Sequence, residues 1–241
     1  MQIEWPPVTF NPEDFNPQNI LDSYFDVGIV VSQWDVLLHA ALVTISLALL
    51  AEVFGIVLGL ILALLKISRS RLLSAPAQIY IDVFRGTPLL VQITIIYFTP
   101  SSIGIRPESL FFAGLVALTL NSAAYVAEIF RSGIQSIDKG QMEAGRASGL
   151  TYGQTMRYII VPQAFRRVIP PLTNEFVMLI KDTSLVSVIG LVELLRAAQE
   201  IQSQTFNSSA LIAAALIYLA ICLPLIYLTN ILERHLNRRT A

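Results

Sequence analysis

The residues best placed to do chemistry are polar and ionisable side chains set inside long apolar runs. Asn121, Ser122, Tyr125 and Glu128 punctuate one such run, and Glu175, Lys181, Asp182, Thr183, Ser184 and Glu193 another. Such groups are costly in a bilayer and face a bundle interior or a water-filled cavity. On a helix advancing about 100° per residue, Asn121 and Glu128 share a stripe, with Tyr125 about 40° away. The same arithmetic places Glu175, Asp182 and Glu193 on one stripe. Asp182 can accept from a cation, and Asn121, Thr183 and Ser184 can donate to an anion. Interhelical hydrogen bonding, or local pairing of Lys181 with Asp182, is the plainer alternative. Glu128 lies one turn from Arg131 and reads first as a gate or interface charge, and only second as a pocket residue. Glu193 reads as a contact at the outer mouth. Glu52 has no partner in its own segment and needs one from another helix or subunit.

Arg85-Gly86-Thr87-Pro88 interrupts a further apolar run. Proline removes a backbone donor, so the sequence predicts either a plain kink or the broken helix with which transporters build binding sites. Thr87 and Gln92, at and just past the break, are counted with the pocket. Arg85 can also snorkel toward the cytosolic headgroups.

The elements that must position these residues are membrane spans. The chain has 241 residues, 54% hydrophobic and only 14% charged, against about 25% charged in soluble domains. A span needs about 20 apolar residues, and five segments qualify: 36–65, 78–99, 110–130, 169–195 and 209–232. The connections on one side carry two basic residues, Arg106 and Arg196, and those on the other side twelve, among them Lys66, Arg69, Arg131, Arg146 and Arg234. The positive-inside rule then predicts an all-α membrane protein with five transmembrane helices, N-terminus outside and C-terminus cytosolic. Residues 1–35 lack Lys and Arg and are rich in Pro and Asn. They read as an extracytoplasmic leader rather than a signal peptide, with Trp5, Phe10, Phe15 and Trp34 at the interface. The net charge of -1 argues against a nucleic-acid partner. Cys222 is the single cysteine, so no internal disulfide forms.

The cytosolic connection 131–168 is too long for a bare helix link. A short helix over 141–148 ends at Gly149, a C′ glycine, and Thr151-x-x-Gln154 has the form of a capping box that restarts a second helix, which Pro162 breaks or kinks. Ala144, Ala147 and Ser148 make a face of small side chains, and Glu143 and Arg146 are spaced to pair.

Glu143-Ala144-Gly145, then Gly149, Ile159 and Val161-Pro162 resemble the EAA motif of ABC importer permeases, with Gly145 for Ala and Val161 for Leu. Phe84–Leu89, Asn121–Glu128, Pro162-Gln163-Ala164 and Lys181–Leu185 are similar to the polar amino acid uptake branch of that family. The likeness runs from Val36 to the C-terminus, so residues 36–241 are expected to form the importer's transmembrane domain. It implies a multi-pass permease of the bacterial plasma (inner) membrane that carries polar amino acids. Glu143, Ala144, Gly145, Arg146, Gly149 and Pro162 would make a cytosolic coupling helix and its root between spans three and four. The implied partners are a dimer of ATP-binding subunits, an extracytoplasmic amino acid-binding protein and a second permease copy or paralogue. The chain itself would be no enzyme and bind no cofactor or metal; ATP-Mg belongs to the ATPase, and no Walker A loop is present. An ion-coupled secondary transporter or channel is the alternative, with the intramembrane acids as its ion path. A membrane enzyme lacks its constellation, because His39 and His235 stand near opposite ends.

Overall fold

The structure, a computed structural model, describes residues 23–104 and 109–237, with side chains through residue 234. Most of the expected leader, Arg106, Arg238 and Arg239 lie outside the described residues. Those residues are helical throughout, without strands. The helices are α1 (Val27–Ser32), α2 (Trp34–Ile67), α3 (Arg71–Gly86), α4 (Leu89–Ser102), α5 (Leu110–Gln135), α6 (Lys139–Ala147), α7 (Tyr152–Thr155), α8 (Val161–Asp182), α9 (Leu194–Thr205) and α10 (Ser209–Asn237). A π-turn, Met156–Ile160, joins α7 to α8, and a 3₁₀ segment, Thr183–Ile189, follows α8.

Helices α2 and α5 form the central pair. Gly55-x-x-x-Gly59 lets them approach: a Cβ at Gly55 would stand 2.5 Å from the Ser122 hydroxyl, and one at Gly59 2.6 Å from Val126. Without a hydrophobic force between helices in lipid, such small-residue contacts carry association. The largest buried cluster joins α2, α4, α5, α8 and the 3₁₀ segment through Leu47, Ile93, Leu118, Leu179 and Val186. Large apolar residues such as Leu42, Leu49, Phe54 and Val57 on α2 face outward, about half exposed, as a lipid-facing surface requires. The end of the expected leader is not separate from this body. Asp26 caps α1, its amide donates to Ser209 at 2.7 Å, and Ile29 and Val30 pack on a core of α2, α9 and α10 residues.

Helices α2, α5 and residues 209–234 of α10 are each long and apolar enough to cross a membrane. α3 and α4 qualify only as a pair, bent by 108° at the break. With 16 and 14 residues they reach about 24 and 21 Å, short of the ~30 Å hydrocarbon core. The bend has a local cause. The residue before a proline is kept out of the α region, and Thr87 is extended at φ -120°, ψ 147°.

The fourth expected span departs further from expectation. α8 begins at Val161, not Ile169, and ends at Asp182. The Thr183 and Ser184 hydroxyls turn back onto the carbonyls of Ile180 and Lys181, both at 2.7 Å, as the chain tightens to 3₁₀. Gly190 then takes a left-handed φ of 93°. Glu193 therefore does not share a stripe with Glu175 and Asp182. It is fully buried as the N-cap of α9, accepting from the amides of Leu195 and Arg196 at 2.9 and 2.8 Å and from Tyr218 at 2.8 Å. This is a structural role, not a contact at the outer mouth.

Candidate functional site

Two polar layers lie seven residues apart on α5. The first surrounds Asn121. The break between α3 and α4 strips carbonyls of their helical donors, and a buried side chain replaces them. Gln92 Nε2 donates to the Phe84 carbonyl at 2.7 Å and to the Thr87 carbonyl and hydroxyl at 3.1 and 2.8 Å. Its Oε1 accepts from Asn121 Nδ2 at 2.9 Å. Thr87 in turn donates to the Val83 carbonyl at 2.8 Å. Thr87, Gln92 and Asn121 thus come together, joined to one another by hydrogen bonds. Tyr80 adds a bond from α3 to the Leu120 carbonyl at 2.7 Å.

The second layer is charged. Glu128 pairs with three cations from three helices: Lys66 at the end of α2, Arg85 near the end of α3 at 3.5 Å, and Arg131 on its own helix at 2.8 Å. The Arg85 guanidinium also stands 5.4 Å over the Tyr125 ring, in cation–π range. Beside this clamp opens a cavity of about 630 Å³, lined by Arg85, Tyr125, Glu128, Arg131 and, from α8, Arg167 and Glu175. It brings charges of both signs to one space large enough for a small zwitterion. Glu175 was legible as a polar stripe residue, but its place opposite Tyr125 is tertiary.

The other expected site residues lie elsewhere. Ser122 is fully buried and donates to Glu52 Oε2 at 3.1 Å, which supplies the partner Glu52 lacked. The second oxygen of Glu52 is buried without a hydrogen bond. Thr183 is buried, while Asp182 and Ser184 are half-buried at the end of α8. No Lys181–Asp182 ion pair forms among the described residues.

The α6–α7 corner forms as its local signals predict. The Leu150 amide bonds Gly145 O at 3.2 Å and the Gly149 amide bonds Arg146 O at 3.1 Å, the two bonds of a Schellman end, with Gly149 at φ 87°. Both halves of the Thr151–Gln154 capping box are present. The start, Lys139, is two residues earlier than expected because Asp138 caps the Gly140 amide at 2.7 Å. Gly145 is buried, and a Cβ there would meet Thr155 at 2.5 Å, so this corner demands glycine. Glu143 and Arg146 do not pair; Arg146 donates instead to the Leu150 carbonyl at 2.8 Å. Ala144, Ala147 and Ser148 remain exposed. Pro162 stands directly after the π-turn, at the start of α8, a place where a helical path accommodates a residue without an amide by a local change of winding.

Helices long and apolar enough to cross a membrane, a polar cavity among them and an exposed helical corner continuous with a cavity-lining helix suit a membrane transport component. Residues 55–238 match the family model described as binding-protein-dependent transport system inner membrane component. The chain belongs to that family, as a permease component of an amino acid ABC transporter. It is 40% identical over 214 residues to the arginine transport system permease protein ArtQ of Bacillus subtilis (strain 168), covering 88% of this chain and 97% of that one. It is 42% identical over 212 residues to the L-cystine transport system permease protein TcyB of the same organism, covering 87% and 90%. A solved amino acid ABC transporter with histidines matches at 41% identity and a TM-score of 0.83, over 87% of this chain and 98% of that one.

Proposed function

We propose that the chain forms the translocation path of an ATP-driven importer for polar amino acids in the bacterial inner membrane. Its N-terminus is outside and its α6–α7 corner in the cytosol, seated on an ATP-binding subunit that carries ATP-Mg. Five membrane passages are counted by taking α3 and α4 as one broken span and α8 with its 3₁₀ extension as another. The observation that carries the reading is the continuity of the corner with the cavity: α7, the π-turn and α8 run as one helical path from Tyr152 to Asp182, and Glu175 of that path lines the cavity. A push on the exposed small-residue face of α6 therefore moves a cavity wall. The effect on transport follows if the push biases a bundle with two arrangements.

In this reading Tyr125, Glu128 and Glu175 touch the substrate in the cavity, and Asp182 and Ser184 meet it toward the outer side. Thr87, Gln92, Asn121, Ser122 and Thr183 act through the partners they already hold. A second permease copy or a paralogue completes the path, and an extracytoplasmic binding protein delivers the cargo.

The test is reconstitution in vesicles with the ATP-binding subunit and binding protein, scanned across the twenty amino acids. Uptake should require ATP and the binding protein. Gly145→Val, which drives a side chain into Thr155, should lower binding-protein-stimulated ATPase activity about tenfold or more while the complex still assembles. Uptake driven by an ion gradient without the ATPase would overturn the reading.

A further inference from the structure

We infer that the groove between the cytosol-facing end of α2, α5 and the α6–α7 corner is a binding site for an anionic phospholipid. The groove encloses about 800 Å³. One wall is apolar, built from Leu64, Ile67 and Ile134; the other carries Arg69, Arg146 and Tyr152, and among the described residues no acidic side chain lines it. Leu64 and Ile67 belong to the last turns of a helix long and apolar enough to cross a membrane, and Leu64 continues the exposed apolar surface of Val57 and Ile61, so in the proposed orientation the apolar wall prolongs the lipid-facing surface and the arginines stand at its cytosolic end.

The electrostatics favour an anion. Arg69 is exposed and has no ion-pair partner among the described residues. Arg146 spends one nitrogen on the Leu150 carbonyl. That bond holds the guanidinium in place and leaves the other donors of its fork free. The C-terminal end of α2 contributes roughly half a negative charge, which two full guanidinium charges outweigh. A phosphodiester accepts from such forks, and basic pockets at the cytosolic ends of membrane helices suit anionic headgroups. Free phosphate offers the same headgroup chemistry but gives no reason for an apolar wall. An acidic patch on a partner protein would likewise leave the membrane-depth part of the groove unfilled.

The inference rests on the proposed orientation, but its readout needs no transport. The purified complex of this chain with its ATP-binding subunit is delipidated, titrated with phosphatidylglycerol or phosphatidylcholine, and observed by native mass spectrometry. The wild type should retain phosphatidylglycerol in preference to phosphatidylcholine. Each unit of charge near a headgroup is worth roughly fivefold, so Arg69→Glu should weaken retention roughly twentyfold or more, and Arg69→Lys, which keeps the charge and loses only the fork, should weaken it by no more than about threefold. Equal retention of the two lipids, or no change in Arg69→Glu, overturns the site. Displacement by millimolar inorganic phosphate makes it a free-anion site and overturns the lipid assignment. So does a loss of ATPase coupling in Arg69→Glu with lipid retention intact, which would place a protein surface there instead.

Discussion

The two polar layers of α5 share a helical stripe but not a fate. At Asn121 the polar atoms close on one another through Gln92 and Thr87, and the group is neutral, with Gln92 and Asn121 buried and Thr87 at its exposed edge. At Glu128 the groups are charged, drawn from three helices, and border a cavity. The first layer repairs a broken helix; the second leaves charge available to a ligand. An intramembrane polar residue thus marks function only when its hydrogen bonds are not already consumed by the fold.

Removing Glu128 should have the largest effect on uptake. Glu128→Ala leaves Lys66, Arg85 and Arg131 facing each other without their shared anion. The clamp side chains are between 14% and 42% exposed, so the cost falls between that of surface and buried pairs, about 2 kcal/mol. A lower melting temperature and uptake reduced more than about tenfold are expected. Unchanged melting and uptake would show that the clamp is incidental and erase the contrast between the layers. Glu175→Gln comes next. It removes a cavity carboxylate without changing shape, and a charge-assisted bond is worth about 1.5–3 kcal/mol. Uptake of a cationic amino acid should fall about tenfold or more, and that of a neutral one within about twofold. Equal losses for both substrates would assign Glu175 to the scaffold.

Much of this was legible in the sequence where the cause is local. The Gly149 end and the Thr151–Gln154 capping box each depend on residues within a few positions and form as expected; at Pro88, where the sequence leaves both a plain kink and a broken helix open, the helix breaks. Partners across helices were not legible. Nothing near Glu52 points to Ser122, and nothing near Glu128 selects Lys66 and Arg85. The stripe through Glu193 failed because periodicity extrapolates only while the helix continues, and α8 stops at Asp182. One signal was present and unused: Gly55-x-x-x-Gly59 marks the face on which α2 meets α5. The corner also carries a constraint hidden in an apparent departure from the family motif. Gly145 is required by Thr155, ten residues on, so a missing methyl at one position is tied to the side chain at the other.

The smallest effect on uptake belongs to the closed layer, and it is the sharpest test of the contrast. Gln92→Ala withdraws a donor from the Phe84 and Thr87 carbonyls and an acceptor from Asn121, so stability should fall by about 1–3 kcal/mol. Asn121→Ala removes only the link from α5 to the break. If the two residues act as one unit, the double variant should melt close to Gln92→Ala alone, with a coupling of about 1 kcal/mol in a double-mutant cycle. Uptake by the surviving folded protein should keep its KM within about threefold, because a hydrogen bond already made inside the fold has nothing left to offer a substrate. Additive melting shifts with a KM raised more than about tenfold in Asn121→Ala would mean that the amide turns toward the substrate during the cycle, and that both layers, not one, belong to the translocation path.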